Sequence, residues 1–98
     1  MEETSERVRL TVEGWRVVRD LAEADASPGR CALMRQLIGE VGHGLRGWDT
    51  GENRDVWASW ARSWWATVRT FTPAQQRYVK GTAKLRFGAL PPFSWEDK

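Results

Sequence analysis

Apolar residues recur with helical spacing along most of this chain, and helix-breaking residues divide it into four segments and a tail. Pro, Gly and small polar residues cluster at 26–29, 42–51, 72–73 and 90–92, where they interrupt regular structure. Between these clusters the apolar positions fall on one side of each segment. We therefore predict an all-α fold, a small bundle of three to four helices with short loops.

The first segment fits two patterns. Val8, Leu10 and Val12 alternate with polar residues, as in a strand. The same stretch also places apolar residues on one helical face: Val8, Val12, Trp15, Val18 and Ala22. A single strand would have no partner in this sequence, so a helix is favoured, with Gly14 as its weak point.

The second segment has a clear helix start and core face. Ser27 suits the N-cap and Pro28 the first helical position. The residues of its predicted core face are Leu33, Met34, Leu37, Ile38, Val41 and Leu45. Gly39, Gly42 and Gly44 should weaken the end of this helix, and we expect a polar loop over 48–53.

The third segment carries most of the aromatic residues. One broad helical face holds Trp57, Trp60, Ala61, Trp64, Val68 and Phe71, and the opposite face holds Ser59, Arg62, Ala66 and Arg69. Such a tryptophan stripe is typical of a small core. Asn53 or Asp55 is placed to cap the start of the helix.

A fourth helix is predicted to begin at once. Thr72 and Gln75 form a capping-box pattern around Pro73, and Gly88 is placed to end the helix. Its apolar side is expected to hold Ala74, Tyr78, Val79 and Leu85. The tail, 89–98, contains two prolines and is expected to be extended; the pattern leaves open whether it packs on the bundle.

The totals indicate one domain spanning 1–98, with a flexible acidic N-terminus at 1–6. No apolar run approaches the ~20 residues that cross a bilayer, and the N-terminus lacks a signal-peptide pattern. We expect a cytoplasmic protein without a membrane partner. Cys31 is the only cysteine, so no disulfide can form within one chain.

Charge is distributed unevenly although the net charge is only +2. No acidic residue occurs between Val56 and Trp95, a stretch with six basic residues: Arg62, Arg69, Arg77, Lys80, Lys84 and Arg86. Such asymmetry indicates an anionic partner. Arginine outnumbers lysine twelve to three, which fits bidentate recognition of carboxylate or phosphate, although GC-rich coding explains it equally well.

The residues that enzymes need are scarce. His43 is the only histidine and has no ligand or triad partner at a suitable spacing. Asp49, Glu52 and Asp55 do not follow the calcium-loop order, so helix capping explains them better. We predict no enzymatic activity, no cofactor and no metal site.

A binding site is predicted on the outer face of the last two helices. Trp65 lies at the edge of the tryptophan stripe, where Arg62 and Arg69 could stack on its indole; it is either a partner anchor or an ordinary surface tryptophan. The predicted fourth helix carries a basic ridge formed by Arg77, Lys80 and Lys84. This ridge is either a binding surface or the solvated face of the helix. The predicted partner-binding residues are Arg62, Trp65, Arg69, Arg77, Lys80, Lys84 and Trp95.

Two functions fit these features. The first is a small helical protein that docks on an acidic surface of a larger protein or complex, as an adaptor, assembly factor or inhibitor, using these residues and the tail from Phe93 to Trp95. Inhibitors encoded by phages or mobile elements, such as anti-CRISPR proteins, are analogous in size. The alternative is a small subunit of a ribonucleoprotein or DNA-processing complex that binds a nucleic-acid backbone. A homodimer is compatible with either.

Overall fold

The computed structural model describes residues 14–95, and this part of the chain folds into four helices without a strand. Helix α1 covers residues 14–24, α2 Pro28–Thr50, α3 Arg54–Arg69 and α4 Pro73–Phe87. The predicted all-α bundle is confirmed. The acidic segment 1–6 and the choice between helix and strand at 7–13 lie outside the described residues.

Most of the predicted helix ends are confirmed. The Ser27 hydroxyl accepts a hydrogen bond from the Arg30 amide at 3.1 Å, and Thr72 and Gln75 form the full capping box. Gly88 ends α4 in the left-handed conformation at φ 80°, which costs glycine little because it lacks a Cβ. The predicted side-chain cap of α3 is wrong: Asn53 occupies the N-cap position at φ 54° but makes no capping hydrogen bond through its side chain.

Helix α2 is longer than the sequence pattern suggests. The predicted loop at 48–53 is wrong, because the helix continues to Thr50 and the turn spans only 51–53. The reason lies in tertiary packing: a Cβ on Gly44 would collide with the Trp60 indole, and one on Gly47 with the Trp57 indole. These glycines let two large rings lie against the helix backbone, and burial of those rings offsets the poor helix propensity of glycine.

The core lies where α2 packs against both α3 and α4. Its buried members include Met34, Leu37, Ile38, Val41, Trp64, Val68, Phe71 and Val79. The Trp64 indole N–H donates to the Leu37 carbonyl at 2.9 Å, which satisfies the one polar atom of that ring. Leu85, predicted on the apolar side of α4, is instead 65% exposed, because α4 is buried along Gln75, Val79 and Ala83.

Helix α1 packs on α4 through an aromatic contact and two hydrogen bonds. The Trp15 indole lies against Gly81, because a side chain at that position would leave no room for the ring. The indole N–H of Trp15 donates to the Thr82 hydroxyl at 2.9 Å. The Gln75 amide donates to the Ala22 carbonyl at 3.4 Å. These contacts set the two helices antiparallel and fix the position of Trp15.

Candidate docking face

The tail folds back over α3 and covers Trp65. The Trp65 side chain is only 3% exposed, and its indole N–H donates to the Pro91 carbonyl at 2.8 Å. Its ring meets Trp64 and Trp95 edge to face, with centroids 4.9 and 5.1 Å apart. The predicted position of Trp65 on the outer face is therefore wrong. The tail gives this ring both a buried apolar environment and a partner for its N–H.

The predicted stacking of cations on an aromatic ring does occur, but on tail residues. The Arg62 guanidinium lies 4.6 Å from the centroid of Phe93. The Arg69 guanidinium and the Lys80 ammonium lie 5.5 and 5.9 Å from the centroid of the half-buried Trp95. These separations are within the range of cation–π attraction. Arg62, Arg69, Lys80 and Trp95 are thus brought together by the returning tail.

Phe93 occupies an unusual backbone conformation. Its φ is 72°, a region that bulky residues rarely adopt because the Cβ meets the backbone. Its ring is nevertheless 44% exposed and packs edge to face on Trp48, with centroids 5.5 Å apart. The Arg54 guanidinium lies 4.2 Å from the centroid of Trp48. Trp48 and Arg54 were missed in the sequence, since neither belongs to the acid-free segment.

Three arginines and three aromatic rings share one surface, which we call the tail face: Arg54, Trp48, Phe93, Arg62, Trp95 and Arg69. A shallow cleft of about 250 Å³ lies within it, lined by residues of α3 and the tail. Arg54, Arg62 and Arg69 form no ion pair with a carboxylate of residues 14–95, where Arg19 pairs with Asp20 at 3.4 Å. The tail face is therefore both aromatic and positively charged.

The remaining predicted site residues lie on a second surface. Arg77 and Lys84 are exposed on the outer side of α4, and Lys80 is partly buried between them. With Trp15 and Leu90 they line a separate cleft of about 490 Å³. The structure thus divides the predicted site into the tail face and this α4 cleft, with Lys80 next to both.

Residues with reactive or metal-binding side chains are dispersed. His43 is exposed and meets Trp57 edge to face at 5.5 Å, and Cys31 is a partly buried free thiol. Asp55 lies in the first turn of α3, where its charge is favourable to the helix dipole. Within residues 14–95, no three His, Cys, Asp or Glu side chains come close enough to share a metal ion.

Comparison with protein-family models, curated proteins and solved structures finds no match to this chain. Across residues 14–95, no helix combines the length and apolar character that a membrane crossing requires.

Proposed function

We propose that this chain is a small non-enzymatic binding protein that docks on an acidic surface of a larger protein through the tail face. The observation that carries the proposal is Phe93: a bulky residue at φ 72° whose ring remains 44% exposed beneath the Arg62 guanidinium. Such a conformation costs on the order of 1–3 kcal/mol and is concentrated at functional sites. The contacts of this ring with Trp48 and Arg62 leave 44% of the residue exposed, and a partner could cover that remainder.

The composition of the tail face resembles that of interface hot spots. Tryptophan and arginine dominate such sites, where aromatic rings are surrounded by contacts that exclude water. In the tail face, the three exposed guanidinium groups lie 4.2–5.5 Å from a ring centroid, and a guanidinium that stacks on a ring keeps the N–H groups of its edge for other acceptors. A partner carboxylate could accept two of these N–H groups at once.

The tail face is also preorganised. The hydrogen bond from Trp65 to Pro91 and the edge-to-face contact between Trp65 and Trp95 hold the tail on α3. Little side-chain freedom remains to be lost on binding, which favours affinity. Adaptors, assembly factors and inhibitors of larger complexes all need such a fixed surface on a small body, and the chain fits any of the three.

The test is quantitative co-purification from the cells that encode the protein, with two matched double variants. The site variant, Arg62→Gln with Phe93→Asn, removes one charge and one exposed apolar side chain from the tail face. The control, Arg35→Gln with Leu21→Asn, likewise removes one charge and one exposed apolar side chain, at two positions outside the tail face. Proteins retained by the wild type and the control but lost by the site variant are candidate partners.

A candidate supports the proposal when the purified protein binds the wild type directly and the site variant at least about tenfold more weakly, a loss of roughly 1.4 kcal/mol. We expect its contact surface to be acidic, so binding should weaken as salt rises. Equal recovery of every protein by the site variant and the control would overturn the proposal. Melting curves of both variants distinguish lost binding from lost folding.

A further inference from the structure

Two clefts lie beside α4, and the Trp15 side chain of α1 forms part of the wall of each. The first, the α4 cleft, has a volume of about 490 Å³ and is lined in part by Gln76, Arg77, Lys80 and Lys84. The second, of about 320 Å³, lies between α1 and α4 and is lined in part by Arg16, Arg19, Tyr78 and Arg86. Both volumes fall in the range of ligand sites. Together we call them the Trp15 clefts.

Trp15 is held rigidly between these clefts. Its ring lies on the backbone of Gly81, and its N–H is used in the hydrogen bond to Thr82. Because the same indole lines both clefts, a ligand can reach it from either side. Tyr78 adds a second partly exposed ring to the smaller cleft. A fixed aromatic surface is therefore available beside two groups of cations.

Among residues 14–95, those that line the Trp15 clefts carry positive charge only. Their six cations are Arg16, Arg19, Arg77, Lys80, Lys84 and Arg86, and no carboxylate of this part of the chain belongs to either lining. Arg19 pairs with Asp20 and Lys80 lies over Trp95. The other four form no ion pair with a carboxylate of residues 14–95. An anionic ligand that spans both clefts would therefore meet about four available cations.

We propose that the Trp15 clefts bind single-stranded nucleic acid, with phosphates along the cations and a base stacked on Trp15 or Tyr78. Non-specific single-strand sites combine these two elements, a positive groove and aromatic rings on which bases stack. A duplex hides its base faces in its own stack, and an acidic peptide has no base to place against an indole. The proposal uses no residue of the tail face, so it is independent of the docking function.

The expected affinity depends strongly on salt. For about four phosphate contacts, log K falls against log salt with a slope of about −2.8 for a single strand. Raising salt from ~50 to ~200 mM should therefore weaken binding about 50-fold. Fluorescence anisotropy with a labelled thymidine strand of about 12 nucleotides, a length within the range of such sites, measures this change.

Two double variants locate the site, and both remove two positive charges. Arg77→Gln with Lys84→Gln should reduce the salt slope by about 1.4, whereas Arg54→Gln with Arg62→Gln, on the tail face, should leave binding within about twofold, the change expected from long-range charge alone. An abasic strand of equal length tests stacking without altering the protein. It should bind at least about fivefold more weakly, since one stacked base contributes at least about 1 kcal/mol.

Several results would overturn this proposal. If the protein does not bind the strand at ~50 mM salt, the proposal is wrong. If both double variants lose the same affinity, the strand does not bind in the Trp15 clefts. If a duplex or an abasic strand binds as tightly as the thymidine strand, no base stacks on Trp15 or Tyr78, and attraction between charges alone explains the binding. Because partner docking is tested with Phe93 and Arg62, either proposal can fail while the other holds.

Discussion

The packing of α2 against the tryptophans of α3 gives a sharp prediction at Gly44. This glycine is buried, and a Cβ there would overlap the Trp60 ring. Gly39 lies in the same helix, but a Cβ there meets nothing within 4 Å. Alanine substitutions at these two positions therefore make the same change in helix propensity, but only the one at Gly44 disturbs packing.

The expected magnitudes follow from these contacts. Alanine gains about 1 kcal/mol over glycine in a helix, so Gly39→Ala should stabilise the fold by that amount. In Gly44→Ala the gain is opposed by overpacking of about 1–3 kcal/mol. Movement of Trp60 also weakens its 3.3 Å hydrogen bond to Glu40, at a further cost of about 0.5–1.5 kcal/mol. The net loss is about 0.5–3.5 kcal/mol.

Thermal unfolding followed by circular dichroism measures both effects. For a domain of this size 1 kcal/mol corresponds to a shift in Tm of about 4–8 °C. Gly39→Ala should raise the Tm by about that amount, and Gly44→Ala should lower it by at least about 2 °C. If both variants raise the Tm equally, Trp60 does not pack on the backbone of α2 and the account of these glycines is wrong.

Three further predictions concern the tail and α4. Trp65→Phe keeps an aromatic ring but leaves the Pro91 carbonyl without its donor, which costs about 1–3 kcal/mol; faster chymotryptic cleavage of the tail is expected, and an unchanged cleavage rate contradicts the contact. Thr72→Ala removes the capping box with Gln75 and should lower the free energy of unfolding in urea by about 0.5–2 kcal/mol, so an unaltered urea midpoint argues against the cap. Phe93→Asn should leave the Tm within about 4 °C, because asparagine tolerates positive φ, and a larger fall would show that the ring stabilises the fold.

The helix ends were predictable because they depend on neighbouring residues. Ser27, Thr72 and Gly88 act within a few positions of themselves in the chain, so their roles could be inferred from short patterns. The core faces of α2 and α3 were predictable for the same reason, since periodicity is a local property. These features account for most of the fold.

The errors arise where distant residues meet. Glycines near the end of α2 suggested a loop, but Gly44 and Gly47 receive rings from a different helix. Trp65 lies at the edge of its helical stripe, and its burial depends on Pro91, 26 positions further along the chain. The candidate site shows the same limit: the basic residues were visible in the sequence, whereas their division into the tail face and the Trp15 clefts depends on how the tail folds back.

The most direct test of the tail face is an NMR titration that follows the indole N–H signals of ¹⁵N-labelled protein with a purified partner. The chain has seven tryptophans, and single Trp→Phe variants assign their signals. Trp48 and Trp95 report on the tail face, Trp15 on the clefts beyond α4, and Trp64 on the core. Docking as proposed should shift or broaden the signals of Trp48 and Trp95 and leave those of Trp15 and Trp64 in place. A partner that perturbs Trp15 while Trp48 and Trp95 remain unchanged would contradict the proposal.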